Sequence, residues 1–232
     1  MFLDCFGCDV DYSLGNNFAD FASQFSKDSR YRTELYKLRR KFMSHADGLI
    51  HADLHTSNIL ASRDEMKVID MEFAFMGPFG YDLGYLVGNL ISQYCAACFK
   101  RFPSEQNRKQ FKAYLLATIK SLIETYMKTF TLCWERSVKE RYRGQQGLLQ
   151  SILQEVMVDM PGYASMVNWF RSVSDIPYPD FDVIENKDAK RNATVLSLMI
   201  DWGIMFGRYK YQSADDLIET IIGIEEEFRK SL

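Results

Sequence analysis

Cysteine and proline are both scarce, 5 of each in 232 residues. Cysteine at that level excludes a disulfide-dense secreted scaffold. Two pairs have Cys-x-x-Cys spacing, Cys5 with Cys8 and Cys95 with Cys98, and a four-thiolate zinc site can use such pairs. However, Tyr94-Cys95-Ala96-Ala97-Cys98-Phe99 reads as a buried helix, where free cysteine acts as a small hydrophobe. Reduced thiols are therefore the expectation. A basic excess is also lacking: 28 Lys and Arg against 31 Asp and Glu give a net charge of −3, which argues against a nucleic-acid partner. Met1-Phe2-Leu3-Asp4 lacks the basic start and apolar run of a secretory signal. The most apolar stretch, Leu83 to Phe99, is broken by Asn89, Ser92 and Gln93 and is short for a membrane span. No membrane association is expected, and a cytoplasmic location is the default.

What remains is a chain long enough for one large domain with a substantial core. Its patterning is mostly helical. Phe18, Phe21, Ala22 and Phe25 recur at helical spacing, as do Tyr31, Leu35, Leu38 and Phe42 on a second helix from about Asp28 to Ser44. After Gly80, helices are predicted over roughly 81–102, 105–141, 146–158, 163–174, 187–210 and 214–230, with Pro161, Pro177 and Pro179 punctuating the connections. Ser213 and Asp216 form a capping signal for the last of these. The exception lies between. Ile59-Leu60-Ala61 and Met66-Lys67-Val68-Ile69 are short strands around the polar turn Ser62-Arg63-Asp64-Glu65.

That hairpin separates two groups of polar residues. Before it stands His51-Ala52-Asp53-Leu54-His55-Thr56-Ser57-Asn58; after it come Asp70 and Glu72. Asp53 and Asn58 fit the catalytic-loop pattern H-x-D-x-x-x-x-N, in which the Asp is the base and the Asn a metal ligand. Phosphoryl transfer needs positioning and charge neutralisation rather than covalent help. Mg²⁺ in turn needs a few oxygen ligands and keeps several waters. Asp70, at the end of a strand, supplies one such oxygen. Glu72 emerges on the same side if the extended conformation continues, although it could equally be a surface residue. His51 is expected to brace the loop rather than act as base. His55 is divided between bracing and a place near the substrate.

At these residues the chain resembles the aminoglycoside-phosphotransferase and choline-kinase group of small-molecule kinases, and within it the 5-methylthioribose kinases. The family signature, H-G-D-L-H-T-G-S-I and then V-I-D-P-E-F-A-F-x-G-P-x-G-[FY]-D-[IL]-G, is matched by His51 to Ile59, Val68 to Phe75 and Gly77 to Gly84. Asp159 to Ala164, Asp180-Phe181, Arg191 to Ala193 and Ser213 to Leu217 follow in the family's order. The resemblance implies an α+β, predominantly α-helical chain: the C-terminal lobe of a protein-kinase-like fold, with the small hairpin carrying the active-site loops. Residues 1–48 would be leading helices, 49–80 the catalytic and metal-binding loops, and 81–232 a helical subdomain.

The resemblance further implies ATP and Mg²⁺ as cofactors, with Asp53 catalytic and Asn58, Asp70 and Glu72 at the metal and nucleotide. The acceptor would be the 1-hydroxyl of 5-methylthioribose, in methionine salvage, and a homodimer would follow the family's tendency. Three departures stand out. Ala52 replaces a glycine, which matters if that position needs positive φ. Met71 replaces a proline, and the family's paired sugar-binding arginines align with Phe170-Arg171. Arg171 is a substrate-contact candidate or a surface salt bridge. No strand-rich sheet, Gly-rich phosphate loop or strand lysine precedes Asp53, so the N-terminal lobe is expected to be absent and the chain alone weakly active or inactive. The alternatives are a related aminoglycoside- or choline-type kinase, or a non-catalytic truncated or pseudoenzyme lobe.

Overall fold

The computed structural model describes residues 27–173 and 178–232. The helix expected around Phe18 to Phe25 and the Cys5–Cys8 pair lie outside the described residues. The first helix, α1, spans Ser29–Ser44, and Asp28 caps it by accepting from the backbone N–H groups of Arg30 and Tyr31. Its apolar stripe is buried as its spacing predicts, with Tyr31, Leu35, Leu38 and Phe42 turned inward.

Four three-residue strands follow, β1 (Gly48–Ile50), β2 (Ile59–Ala61), β3 (Met66–Val68) and β4 (Phe75–Gly77). β2 and β3 form the predicted antiparallel hairpin, in the register Ile59 to Val68 and Ala61 to Met66. β1 and β4 form a second antiparallel pair that the sequence did not announce, Gly48 opposite Gly77 and Ile50 opposite Phe75. Three-residue strands are too short to show a period, and only the fold brings these two together.

The helical part comprises α2 (Gly80–Phe99), α3 (Glu105–Ser137), α4 (Gln146–Val173), the short α5 (Pro179–Asp182), α6 (Lys187–Gly207) and α7 (Ala214–Ser231). Both α2 and α3 stop about three to four residues short of the predicted ends. At Val138 the chain leaves α3 in an extended conformation before a separate 3₁₀ turn at Glu140–Tyr142. The reading of Pro161 as a break is corrected: α4 runs unbroken through it. Proline removes the N–H that would serve the Met157 carbonyl. One residue along, the buried Arg208 guanidinium donates to the Val158 carbonyl at 3.2 Å. Tyr163, just past the proline, donates to the Leu38 carbonyl, tying the same turn to α1. Tertiary partners on both sides thus hold a helix that local propensity would interrupt. The capping box of Ser213 and Asp216 at α7 is present as expected.

Two apolar clusters share α2 and α4 as their common wall. Ile91, Ile119, Ile123, Met160, Leu196, Ile200 and Leu217 mark the larger, among α2, α3, α4, α6 and α7. The smaller joins α1 and β1 to the same helices through Leu38, Phe42, Ile50, Tyr81 and Tyr163. Helices α2 and α4 touch backbone to backbone at glycines: a Cβ on Gly84 would lie 2.6 Å from the Met160 carbonyl oxygen, and one on Gly88 2.6 Å from that of Ala164. That close approach fixes α2, the helix on which the loop before the hairpin rests.

Candidate functional site

The loop from His51 to Asn58 leaves β1 and ends in a 3₁₀ turn at Thr56–Asn58. Its first peptide groups are held by Asp82, in the first turn of α2. One carboxylate oxygen accepts from the His51 N–H at 2.6 Å and the other from the Ala52 N–H at 3.0 Å. Burial pushes the Asp82 carboxyl up from the usual carboxylate range, and the two amide donors pull part of the way back. Ala52, the second of these donors, has φ 67°, in the left-handed region. The family's glycine is explained by this conformation; here an alanine holds it under strain of about 1–2 kcal/mol.

His51 clamps the two halves of the site together. Its Nδ1 accepts from the Asp53 N–H at 3.2 Å, so Nε2 carries the proton and donates to the Ile69 carbonyl at 2.8 Å. This neutral, buried imidazole is a brace and has no nitrogen left for proton transfer. Asn58 adds a second link: its side chain donates to the Asp53 carbonyl at 3.0 Å, and its own carbonyl accepts from the Ile69 N–H at 3.0 Å. In an antiparallel hairpin the residue before β2 and the residue after β3 lie at the same open end. Asp53, Asn58 and the start of the Asp70 turn are therefore brought together, as the sequence implied.

Asp53 is 7% exposed, and its two oxygens differ. Oδ1 accepts from the Tyr85 hydroxyl at 2.9 Å, while Oδ2 lies 3.6 Å from His55 Nε2. One oxygen is thus spent on orientation, and the other keeps acceptor capacity for an incoming hydroxyl proton. Asp70 and Glu72 are exposed, and among the described residues neither carboxylate has a hydrogen bond or ion pair. The alternation argument that placed Glu72 beside Asp70 is corrected. Asp70 has φ 66°, which ends the extended conformation, and Glu72 lies in a turn closed by the Ala74 N–H on the Met71 carbonyl at 3.1 Å. The proline-to-methionine change falls in this turn.

Among the described residues no three His, Cys, Asp or Glu side chains converge as a ready-made metal cage. Mg²⁺ in phosphotransfer sites does not need one, since it binds through one or two carboxylates with substrate phosphates and water. An unpaired Asp70 carboxylate and the Asn58 amide oxygen fit that donor chemistry. Arg171 is committed elsewhere. Its Nε and Nη2 lie 2.7 and 2.5 Å from one oxygen of the buried Asp180, its guanidinium sits 4.4 Å over the Tyr178 ring, and Gln93 donates to the other Asp180 oxygen. Tyr85 and Asp82 were missed as site residues. Both follow Gly80 in the motif, and Asp82 in the first turn of a helix was the signal that it could reach back to a loop.

With this geometry in view, comparison with known proteins is direct. Residues 17–122 match the phosphotransferase enzyme family. Methylthioribose kinase from Geobacillus thermodenitrificans is 32% identical over 198 residues, 85% of this chain and 48% of the relative. That of Geobacillus kaustophilus is 33% identical over 82% of this chain and 46% of its own length. That of Exiguobacterium sibiricum is 35% identical over 59% and 33%. The chain is similar to these methylthioribose kinases over most of its own length. It spans about half the length of the curated relatives it matches. The predominantly helical architecture with its small strand pairs is compatible with a kinase-like fold, and no helix among the described residues is long and apolar enough to cross a membrane.

Proposed function

We propose that these residues form the C-terminal lobe of a protein-kinase-like fold that transfers phosphate from ATP to a small alcohol, the 1-hydroxyl of 5-methylthioribose in methionine salvage. The observation that carries this reading is the clamp. A buried Asp53 with one oxygen oriented by Tyr85 is tied through His51 and Asn58 to the strand end that presents Asp70. Asp53 accepts the proton as the acceptor hydroxyl attacks. Asp70 and Asn58, with Glu72 from the neighbouring turn, would hold Mg²⁺, which when bound would neutralise charge on the triphosphate. Without a cation, the carboxylates Asp53, Asp70 and Glu72 would repel it. Within this reading residues 49–80 are the catalytic and metal-binding loops and 81–232 the supporting subdomain. A soluble cytoplasmic protein and a homodimer are part of the same proposal, and nucleic acid is not.

A second acceptor class is favoured by one observation. Arg171 is engaged by Asp180 and Tyr178, and the position before it is Phe170. A site with one fewer cationic fork suits a related alcohol as well as the sugar. The test is Mg²⁺-dependent phosphorylation by the purified chain of 5-methylthioribose beside a sugar and amino-alcohol panel, with Asp53→Asn as control. Weak turnover of the thiosugar that Asp53→Asn abolishes is the expected result for this chain on its own. Turnover of another alcohol alone refutes the sugar assignment. A folded chain inert towards every acceptor refutes autonomous catalysis and leaves a non-catalytic lobe.

A further inference from the structure

Helix α2 carries Tyr85, which touches Asp53, and ends at Phe99, about 21 Å further along at 1.5 Å per residue. At that far end a cavity of about 560 Å³ opens, within the usual range for small-molecule sites. Its lining combines apolar Phe99, Val183 and Ile184 with basic Lys100, Arg101 and Arg108, and Glu185 is the one acidic lining residue. Three lining cations against one carboxylate, in a chain of net charge −3, are a local reversal of sign.

These cations are incompletely satisfied. The Lys100 ammonium lies 5.2 and 4.6 Å over the rings of Phe102 and Phe111, and among the described residues no carboxylate comes within ion-pair distance. Burial pushes its pKa below the ordinary lysine range, against the pull of Asp180. Arg108 uses Nη1 on Glu105 and Nη2 on the Lys100 carbonyl, at 3.2 Å for the second. Its Nε–H is buried with no acceptor among the described residues. Such an orphaned donor is unfavourable until an acceptor arrives. Asn186, also on the wall, is the N-cap of the 21-residue α6, so the positive end of a long helix faces the same space.

We propose that this cavity is a second ligand site, for a small organic phosphate whose anionic head meets Lys100, Arg101 and Arg108 while its carbon frame lies on Phe99, Val183 and Ile184. The cavity's size limits the ligand to a small molecule, and its mixed apolar and basic lining favours an ester over free phosphate. Occupancy would draw on the Lys100 charge that now faces Asp180, the carboxylate holding Arg171 and Gln93.

The test is calorimetric and amide-NMR titration of the intact chain with phenyl phosphate and, separately, inorganic phosphate. Saturable binding of phenyl phosphate with shifts at Lys100, Arg101 and Asn186 is expected, roughly tenfold tighter than inorganic phosphate from the buried ring. Lys100→Gln should weaken it about tenfold, and Arg101→Gln, at an exposed position that leaves the core intact, severalfold. Asp53→Asn should leave it unchanged. Absence of saturable binding at millimolar phenyl phosphate overturns the site. So do shifts confined to the 51–58 loop, or affinity unmoved by Lys100→Gln. Should Lys100→Gln fail to fold, unchanged affinity in Arg101→Gln overturns it instead. Equal affinity for the two probes overturns the organic part of the assignment.

Discussion

Asp82→Asn removes the support on which the 51–58 loop rests. Both Asp82 oxygens accept from backbone donors, His51 at 2.6 Å and Ala52 at 3.0 Å, so the position needs an ionised carboxylate. Asparagine keeps one acceptor and turns an amide donor towards the other N–H. One hydrogen bond to a charged group is lost, worth about 1.5–3 kcal/mol, and one partly buried donor is orphaned. The two bonds also offset the roughly 1–2 kcal/mol cost of Ala52 in its left-handed conformation. Together these give an expected loss of about 2–4 kcal/mol. For a domain of this size that is a fall in Tm of roughly 4–16 °C, and Asp82→Ala should fall further. Thermal and urea denaturation measure the global part. Hydrogen exchange at the His51 and Ala52 amides measures local opening, which could relieve the loop without unfolding the domain. Asp82→Asn with an unchanged Tm and unchanged protection at both amides would refute the reasoning.

Tyr85→Phe should lower kcat for any Asp53-dependent transfer by about ten- to a hundredfold, because it frees the hydroxyl-bound Asp53 oxygen; KM for the acceptor should hold, and an equal rise in KM would contradict an orienting role. Gly84→Ala should destabilise by more than about 2 kcal/mol in urea unfolding, since its Cβ would sit 2.6 Å from a backbone oxygen that cannot yield cheaply. Glu225 sets a pH dependence. Burial alone would raise its pKa, but Lys112, Tyr94 and Arg229 outweigh it and hold the carboxyl down to about 2, from an ordinary 4.5. A lowered folded-state pKa gives stability that is present above about 4.5 and lost as pH falls towards 2; Glu225→Gln should flatten that part of the Tm–pH curve, and an unchanged curve would refute it. Arg208→Met should cost about 1.5–3 kcal/mol by thermal denaturation, because Glu34 loses its charged hydrogen bond to the guanidinium at 2.6 Å while keeping Lys37 and the Tyr209 hydroxyl.

The sequence by itself determined the helix faces, the β2–β3 hairpin and the order of the polar residues around it. Those are local: a stripe at i, i+3, i+4 must turn inward, and a polar four-residue turn between apolar triplets closes on itself. The likeness of the motif to a kinase signature was legible for the same reason, since its polar residues stand at fixed short spacings. Three matters were decided by tertiary structure alone. Pro161 stays inside a helix because Arg208 and Tyr163 reach it from elsewhere in the chain. Ala52 takes a positive φ between its own N–H, held by Asp82 thirty residues on, and the Asp53 N–H, held by His51 Nδ1. Strand alternation no longer places Glu72, because Asp70 turns left-handed just after Ile69, whose N–H and carbonyl are held by Asn58 and His51 from the other loop. Each is a local preference overruled by a distant hydrogen-bond partner or by the closing of a turn. Arg171 belongs with them: as a letter it was a substrate-contact candidate or a surface salt bridge, and in the fold it is paired with the buried Asp180.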